Sequence, residues 1–180
     1  MWSYSRAVAG IEKLRLSEKN MRLACYWLSL WADDKPPTLA DLDPLKITEL
    51  LPGIVLVDVH EGRGPVCRLS GTAVDAGMGR TLRGANLLDF VAGAARATRI
   101  ARVKTLLEGA ASVSRTSYST RHGAADIVET LQLPFAGVAE DGSRRYFGHV
   151  NWRPGMGFAR DPAPGLKLGM PETFEFAEFG

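Results

Sequence analysis

The chain has 180 residues and 19.5 kDa, with 46% hydrophobic and 23% charged residues, the balance of one folded domain. That composition excludes a disordered chain, a collagen-like repeat and a disulfide scaffold. Its 22 basic and 20 acidic residues leave a net charge of +2, too even for a nucleic-acid binder that works through its overall field.

Cys25 and Cys67 read as free thiols of a reducing compartment. The first twenty residues contain no apolar core of a secretory signal. The densest apolar run, Leu23 to Trp31, falls far short of the roughly 18 residues a membrane helix needs. The expectation is a soluble, cytoplasmic protein that engages neither membrane nor nucleic acid.

Ser17 is placed to cap a helix reaching about Asp33. Met21, Ala24, Leu28 and Trp31 share one face of it, and Leu23, Trp27 and Leu30 form an adjoining stripe. So wide an apolar surface serves the domain's own core on one side. The other side is expected either to meet a partner helix in a homodimer or to tuck into the same domain. Pro36 and Pro37 end this segment. Asp43 as cap and Pro44 at the first position predict a short helix over 44–51, stopped by Pro52 and Gly53.

The period then switches. Ile54–Val59 is a β-branched run, a turn follows at 61–64, and Val66–Ser70 returns as a second strand. Gly71, Gly77, Gly79 and Gly84 break the next stretch into short helices. A longer helix is predicted from Ala94 to Glu108, with Ile100, Val103, Leu106 and Leu107 on its buried face. Three strands close the order, at 112–121, 126–136 and 144–152, with turns at His122–Gly123 and Glu140–Ser143. Residues 153–180 read as an irregular tail, either disordered, packed back through Phe174, Phe176 and Phe179, or docked on a neighbouring subunit. The expected division is a helical extension over 1–53, a core domain over 54–152 and the tail.

Two strands, several short helices, a longer helix and three further strands make an α+β domain on an antiparallel sheet. The order, and RLSGTAVDAGMGRTLRGANLLDF in particular, resembles a PAS domain with its five-stranded sheet and helices inserted after strand two. Further matching elements are Tyr26-Trp27, the DLDPLKITELLP run of Asp41–Pro52, Asp58, Arg68, Gly71-Thr72, Gly79-Arg80, Gly84, Asp89, the LPF of Leu133–Phe135 and the turn at Asp141-Gly142. This pattern resembles a bacterial group of compact, mostly stand-alone PAS proteins. The resemblance implies a sensory or interaction module and names no cofactor.

Familiar catalytic signatures are missing. The chain has no phosphate loop, no nucleophile elbow and no CxxC, HxxxH or HExxH. His60, His122 and His149 are far apart. His149 is the least unsuitable for a haem, although a histidine bonded within the sheet explains it more simply. Arg96, Arg99 and Arg102 recur every three residues. They are read as a solvated helix face, with an electropositive stripe as the alternative.

In a PAS-like domain a ligand would lie between the inner sheet face and the short helices, in a mostly apolar pocket with a few polar groups. Strand position nominates Arg68, Tyr118, Gln132 and His149, with Arg80 at the rim. Arg68 would suit an anion if it faced inward; otherwise it faces solvent or pairs with Asp58 or Glu129. The expected function is a signalling module that binds a small molecule or a protein partner and acts in trans. A ligand-free adaptor is the alternative. A small enzyme using Glu129 and His149 is a third reading.

Overall fold

The computed structural model describes residues 2–119, 125–152 and 173–179. The expected turn at His122–Gly123 and residues 153–172 of the tail lie outside the described residues.

Two helices come first, α1 (Tyr4–Lys13) and α2 (Glu18–Ser29). Ser3 caps α1 through its hydroxyl, which accepts from Arg6 N. The next segment differs from the predicted helix over 44–51. It is a series of tight single turns at Leu39–Asp41, Pro44–Ile47 and Leu51–Gly53. Asp43 and Pro44 start a turn as expected, but Pro52 lies too close behind for the α-helical ladder to propagate.

Strands β1 (Ile54–His60) and β2 (Gly64–Ser70) form the expected hairpin. Helix α3 (Thr72–Met78) ends at Gly79, which takes the left-handed conformation at φ 65°. A single turn at Leu87–Phe90 leads to α4 (Gly93–Leu107). Strands β3 (Ala111–Ser119), β4 (Ala125–Pro134) and β5 (Arg144–Trp152) follow. A sixth strand, β6 (Thr173–Ala177), comes from the region expected to be irregular. The alternating Thr-Phe-Glu-Phe-Ala pattern explains it, because two-residue alternation suits a strand with one face on each side of a sheet.

The result is an α+β fold on one antiparallel sheet of order β2-β1-β5-β4-β3-β6. Alternation along the strands divides its side chains between two faces. On the outer face Ile54, Val113, Leu131, Leu133 and Phe147 meet Ala7 and Ile11 of α1 and Leu23, Ala24 and Trp27 of α2. On the inner face Val55, Val57, Val59, Cys67 and Tyr146 meet Val74 of α3 and Val103 and Leu106 of α4. Ile100 does not join them: it is 51% exposed, a turn too early to reach the sheet. The apolar stripes of α2 are used within the chain, since Leu23, Ala24 and Trp27 are buried and Leu28 and Trp31 pack on the same core.

The chain bend after α2 is sharp. Asp33 and Asp34 both take positive φ (48° and 59°), and Asp34 accepts a hydrogen bond from Tyr4 N at 2.8 Å. No helix among the described residues is long and apolar enough to cross a membrane.

Candidate functional site

The inner face carries a block of small polar side chains among its valines. Strand register places Gly148, Gln132, Ser112 and Phe176 in one cross-strand row, and Val150, Thr130, Ser114 and Phe174 in the next. Ser112, Ser114, Thr116 and Gln132 are buried. Gly148 makes room for this row: a Cβ there would lie 2.5 Å from Leu131 O and 3.4 Å from Gln132 Cγ.

Arg102 of α4 reaches down onto the row. Its Nη2 donates to Ser112 Oγ at 2.5 Å and to Gln132 Oε1. The guanidinium lies over the Phe174 ring, 4.6 Å from its centroid, a cation–π arrangement. Arginine presents a planar fork of donors, so one side chain can bond the sheet and stack on an aromatic at once. The three arginines of α4 are thus not an open stripe, since each bonds the protein, although Arg96 keeps its side chain 43% exposed. Arg96 Nη1 donates to Leu88 O at 2.5 Å, Arg99 Nη1 donates to Leu87 O at 3.3 Å, and Arg102 points to the sheet.

The end of α4 is fixed beside this block. Tyr146 Oη lies 2.5 Å from Leu106 O and 2.9 Å from Ala110 O, and Arg144 Nε donates to Leu107 O at 3.0 Å. Burial pushes the Tyr146 phenol well above its ordinary range, so it stays a donor.

A second polar cluster lies on the outer face, under the start of α2. Glu129 Oε1 accepts from Ser17 N (2.8 Å), Ser17 Oγ (2.7 Å) and Asn20 Nδ2 (2.8 Å). Arg115 Nε donates to Glu129 Oε2 at 3.0 Å. Asn20 Oδ1 faces His149 Nδ1 at 2.7 Å, and Asn151 Nδ2 donates to Ser17 Oγ at 2.8 Å. Burial raises the Glu129 pKa, but the bonds from Ser17 and Asn20 and the charge of Arg115 outweigh it and hold the carboxyl below its usual value. His149 is pushed down to about 4, by burial first and then by the charge of Lys19, against the opposing charge of Glu129. Ser17 therefore begins the helix as predicted, yet its hydroxyl donates to the sheet and makes no cap bond within the helix.

The nominated residues separate accordingly. Gln132 sits in the inner block. Arg80 follows the Gly79 turn and lies over the Phe90 ring at 4.8 Å, on the inner side. Tyr118 pairs in register with Asp126 near the end of β3; its side chain lies outside the described residues. Arg68 and His149 are on the other face. Arg68 is 59% exposed and pairs with Asp58 at 3.1 Å, while His149 is buried beneath α2. Glu129 and His149, the acid–base pair of the enzyme reading, are bridged by Asn20 in a packed interior. Arg102 was passed over in the sequence because its neighbours share its charge. Its one signal was the position of Arg102 on the Val103 and Leu106 side of α4.

A cleft of about 280 Å³ opens on the outer side, lined by Leu39, Asp58, Phe135, Ser143 and Arg145 among others. Its charged groups already bond each other, Arg145 meeting Asp58 at 2.6 and 2.9 Å. Among the described residues no group of three or more His, Cys, Asp or Glu is placed to hold a metal.

No curated protein sequence matches the chain. A family model for the PAS domain matches residues 15–150, which include α2, strands β1 to β4, all but the last two residues of β5 and both inner-face helices. With that span and this sheet-and-helix arrangement, the chain belongs to the PAS domain family.

Proposed function

We propose that this PAS module is a cytoplasmic sensor that binds a small molecule on the inner face and passes its state to a protein partner in trans. The observation that carries this reading is Arg102, a guanidinium drawn under α4 onto Ser112, Gln132 and the Phe174 ring. Such a group favours a ligand with a carboxylate or a comparable acceptor, bonded by the guanidinium and by the hydroxyls of the neighbouring row. An anion-binding role falls to Arg102 and not to Arg68, which is 59% exposed and pairs with Asp58.

Native mass spectrometry of the untreated protein, beside denaturing spectra, tests this. The reading expects extra mass that is lost on denaturation and absent from an Arg102→Met variant. A bare wild-type mass, or equal bound mass in the variant, counts against it. The second reading is an adaptor without ligand. Leu45, 82% exposed within the Pro44–Ile47 turn, favours it as a docking point, and a bare protein that binds a partner through Leu45 would support it.

A further inference from the structure

Strand β6 and helix α1 lie outside the span that matches the PAS family, and they hold each other. Gly10 lets them approach: a Cβ there would lie 3.0 Å from Ala177 Cβ and 3.2 Å from Phe179 Cε1. Ser3 N donates to Phe179 O at 3.3 Å. Phe179 is buried against Trp27 and Trp2, with ring centroids 5.4 and 6.0 Å away.

The strand is held unequally along its length. Its C-terminal end is anchored by Ala177 and Phe179, both buried, whereas Phe176 is 38% exposed and Thr173 is exposed. It is an edge strand, bonded to β3 on one side. Among the described residues, two side-chain contacts secure the weaker end, and they lie on opposite faces because successive residues alternate. Phe174 stacks on Arg102 in the inner block. Glu175 pairs with Arg115 on the outer face, and Arg115 also pairs with Glu129, the carboxylate that holds the start of α2.

We infer that β6 is a latch, set by Arg102, that carries the state of the inner site across the sheet to the α2 cap. This takes the proposed inner site as its starting point. An acceptor that fixes the guanidinium in place strengthens the Phe174 stack and keeps the strand docked. Withdrawal of Arg102 loosens Phe174, and Glu175 then leaves Arg115. By linkage, whatever favours docking of β6 also favours the acceptor on Arg102.

Hydrogen exchange on the full chain tests the latch without any ligand. Arg102→Met and Phe174→Ala should each speed exchange at residues 173–176 by about tenfold or more, with the amides of β1 and β5 unchanged. The double variant should add little to either single one, because both remove the same contact. Phe174→Tyr, which keeps the ring, should retain slow exchange. Unchanged exchange in both single variants, or additive effects in the double variant, overturns the latch. If Arg102→Met fails to fold, comparing Phe174→Ala with Phe174→Tyr decides: equal exchange in the two overturns it. A bare native mass would remove the ligand reading and leave this result standing; an overturned latch would leave the ligand reading intact.

Discussion

Asn20 on α2 bridges two buried groups on neighbouring strands. Its Nδ2 donates to Glu129 Oε1 at 2.8 Å, and its Oδ1 faces His149 Nδ1 at 2.7 Å. Since the amide oxygen can only accept, His149 carries its proton on Nδ1. The amide thus fixes both a tautomer and the seat of the helix on the sheet.

Glu129 is the acceptor on which that arrangement depends. Removing its charge leaves Arg115 and the Ser17 donors poorly satisfied in a buried setting. Glu129→Gln should therefore cost about 2 kcal/mol in urea unfolding at neutral pH. The folded-state pKa is lowered, so the stabilisation is complete above the ordinary value of 4.5. It disappears as pH falls through the lower folded value. Wild type and variant should converge in strong acid; a constant gap would show that the charge is not the cause.

His149 titrates with the opposite chemistry but the same slope. Its folded pKa of about 4 lies below the ordinary 6.5, so between those values the unfolded chain binds the proton and the folded one does not. Stability is complete above pH 6.5 and falls as pH drops toward 4, by on the order of 3 kcal/mol. Imidazole resonances followed by NMR should show His149 neutral down to about pH 5. A midpoint near 6.5 would refute the buried, neutral assignment.

The sheet was legible because its strands carry strong local patterns. Ile54–Val59 is apolar and β-branched, and the Asp141-Gly142 turn sets up β5. Helix α1 was missed although Ala7, Ile11 and Leu14 repeat at helical spacing; its burial depends on Ala177 and Phe179, which lie at the far end of the chain. Strand β6 was missed for the same reason, since a lone five-residue edge strand has no local partner to reveal it. Of the site, Gln132 was legible from strand position. Arg68 and His149 were not assigned to a face, because a one-residue change of register reverses the face of a side chain, and β2 has an irregularity in register opposite Leu56 and Val57. Arg102 was hidden because charge alone does not separate a solvated arginine from one whose stem lies on a packed helix face.

Gly148 tests how tightly the inner row is packed. Its missing side chain is replaced by the Gln132 stem and Val55, and an alanine methyl would meet the Leu131 carbonyl at 2.5 Å. Backbone cannot yield as a side-chain end can. Gly148→Ala should lose about 1–3 kcal/mol of stability, the usual cost of overpacking. An unchanged urea midpoint would mean that the row holds free space.

The two thiols should separate cleanly by reactivity. Cys67 is fully buried on β2, and burial, with the nearby Asp75 charge adding, pushes its thiol up to about 11. Cys25 is exposed on α2. Since the thiolate is the reactive form, a thiol reagent at neutral pH should label Cys25 rapidly and Cys67 only after urea is added. Rapid labelling of both in the native protein would contradict the packing of the inner face.

Arg145 and Arg68 share the carboxylate of Asp58 and differ in what surrounds them. Arg145 makes the two-point contact, at 2.6 and 2.9 Å, and Asp58 raises its pKa. Arg68 makes one contact at 3.1 Å with a side chain 59% exposed. Solvent screens the second pair far more than the first, so Arg68→Ala should cost less than about 0.5 kcal/mol. Asp58→Ala leaves two guanidiniums facing each other over a buried position and should cost about 3 kcal/mol. Arg145→Ala should fall between them, because Arg68 still compensates the carboxylate. Urea unfolding of the three variants ranks them directly. If Arg68→Ala proved the most costly, the exposed pair would have to be the one that orders β2, and Arg68 would regain a claim to a role that its present geometry assigns to surface pairing.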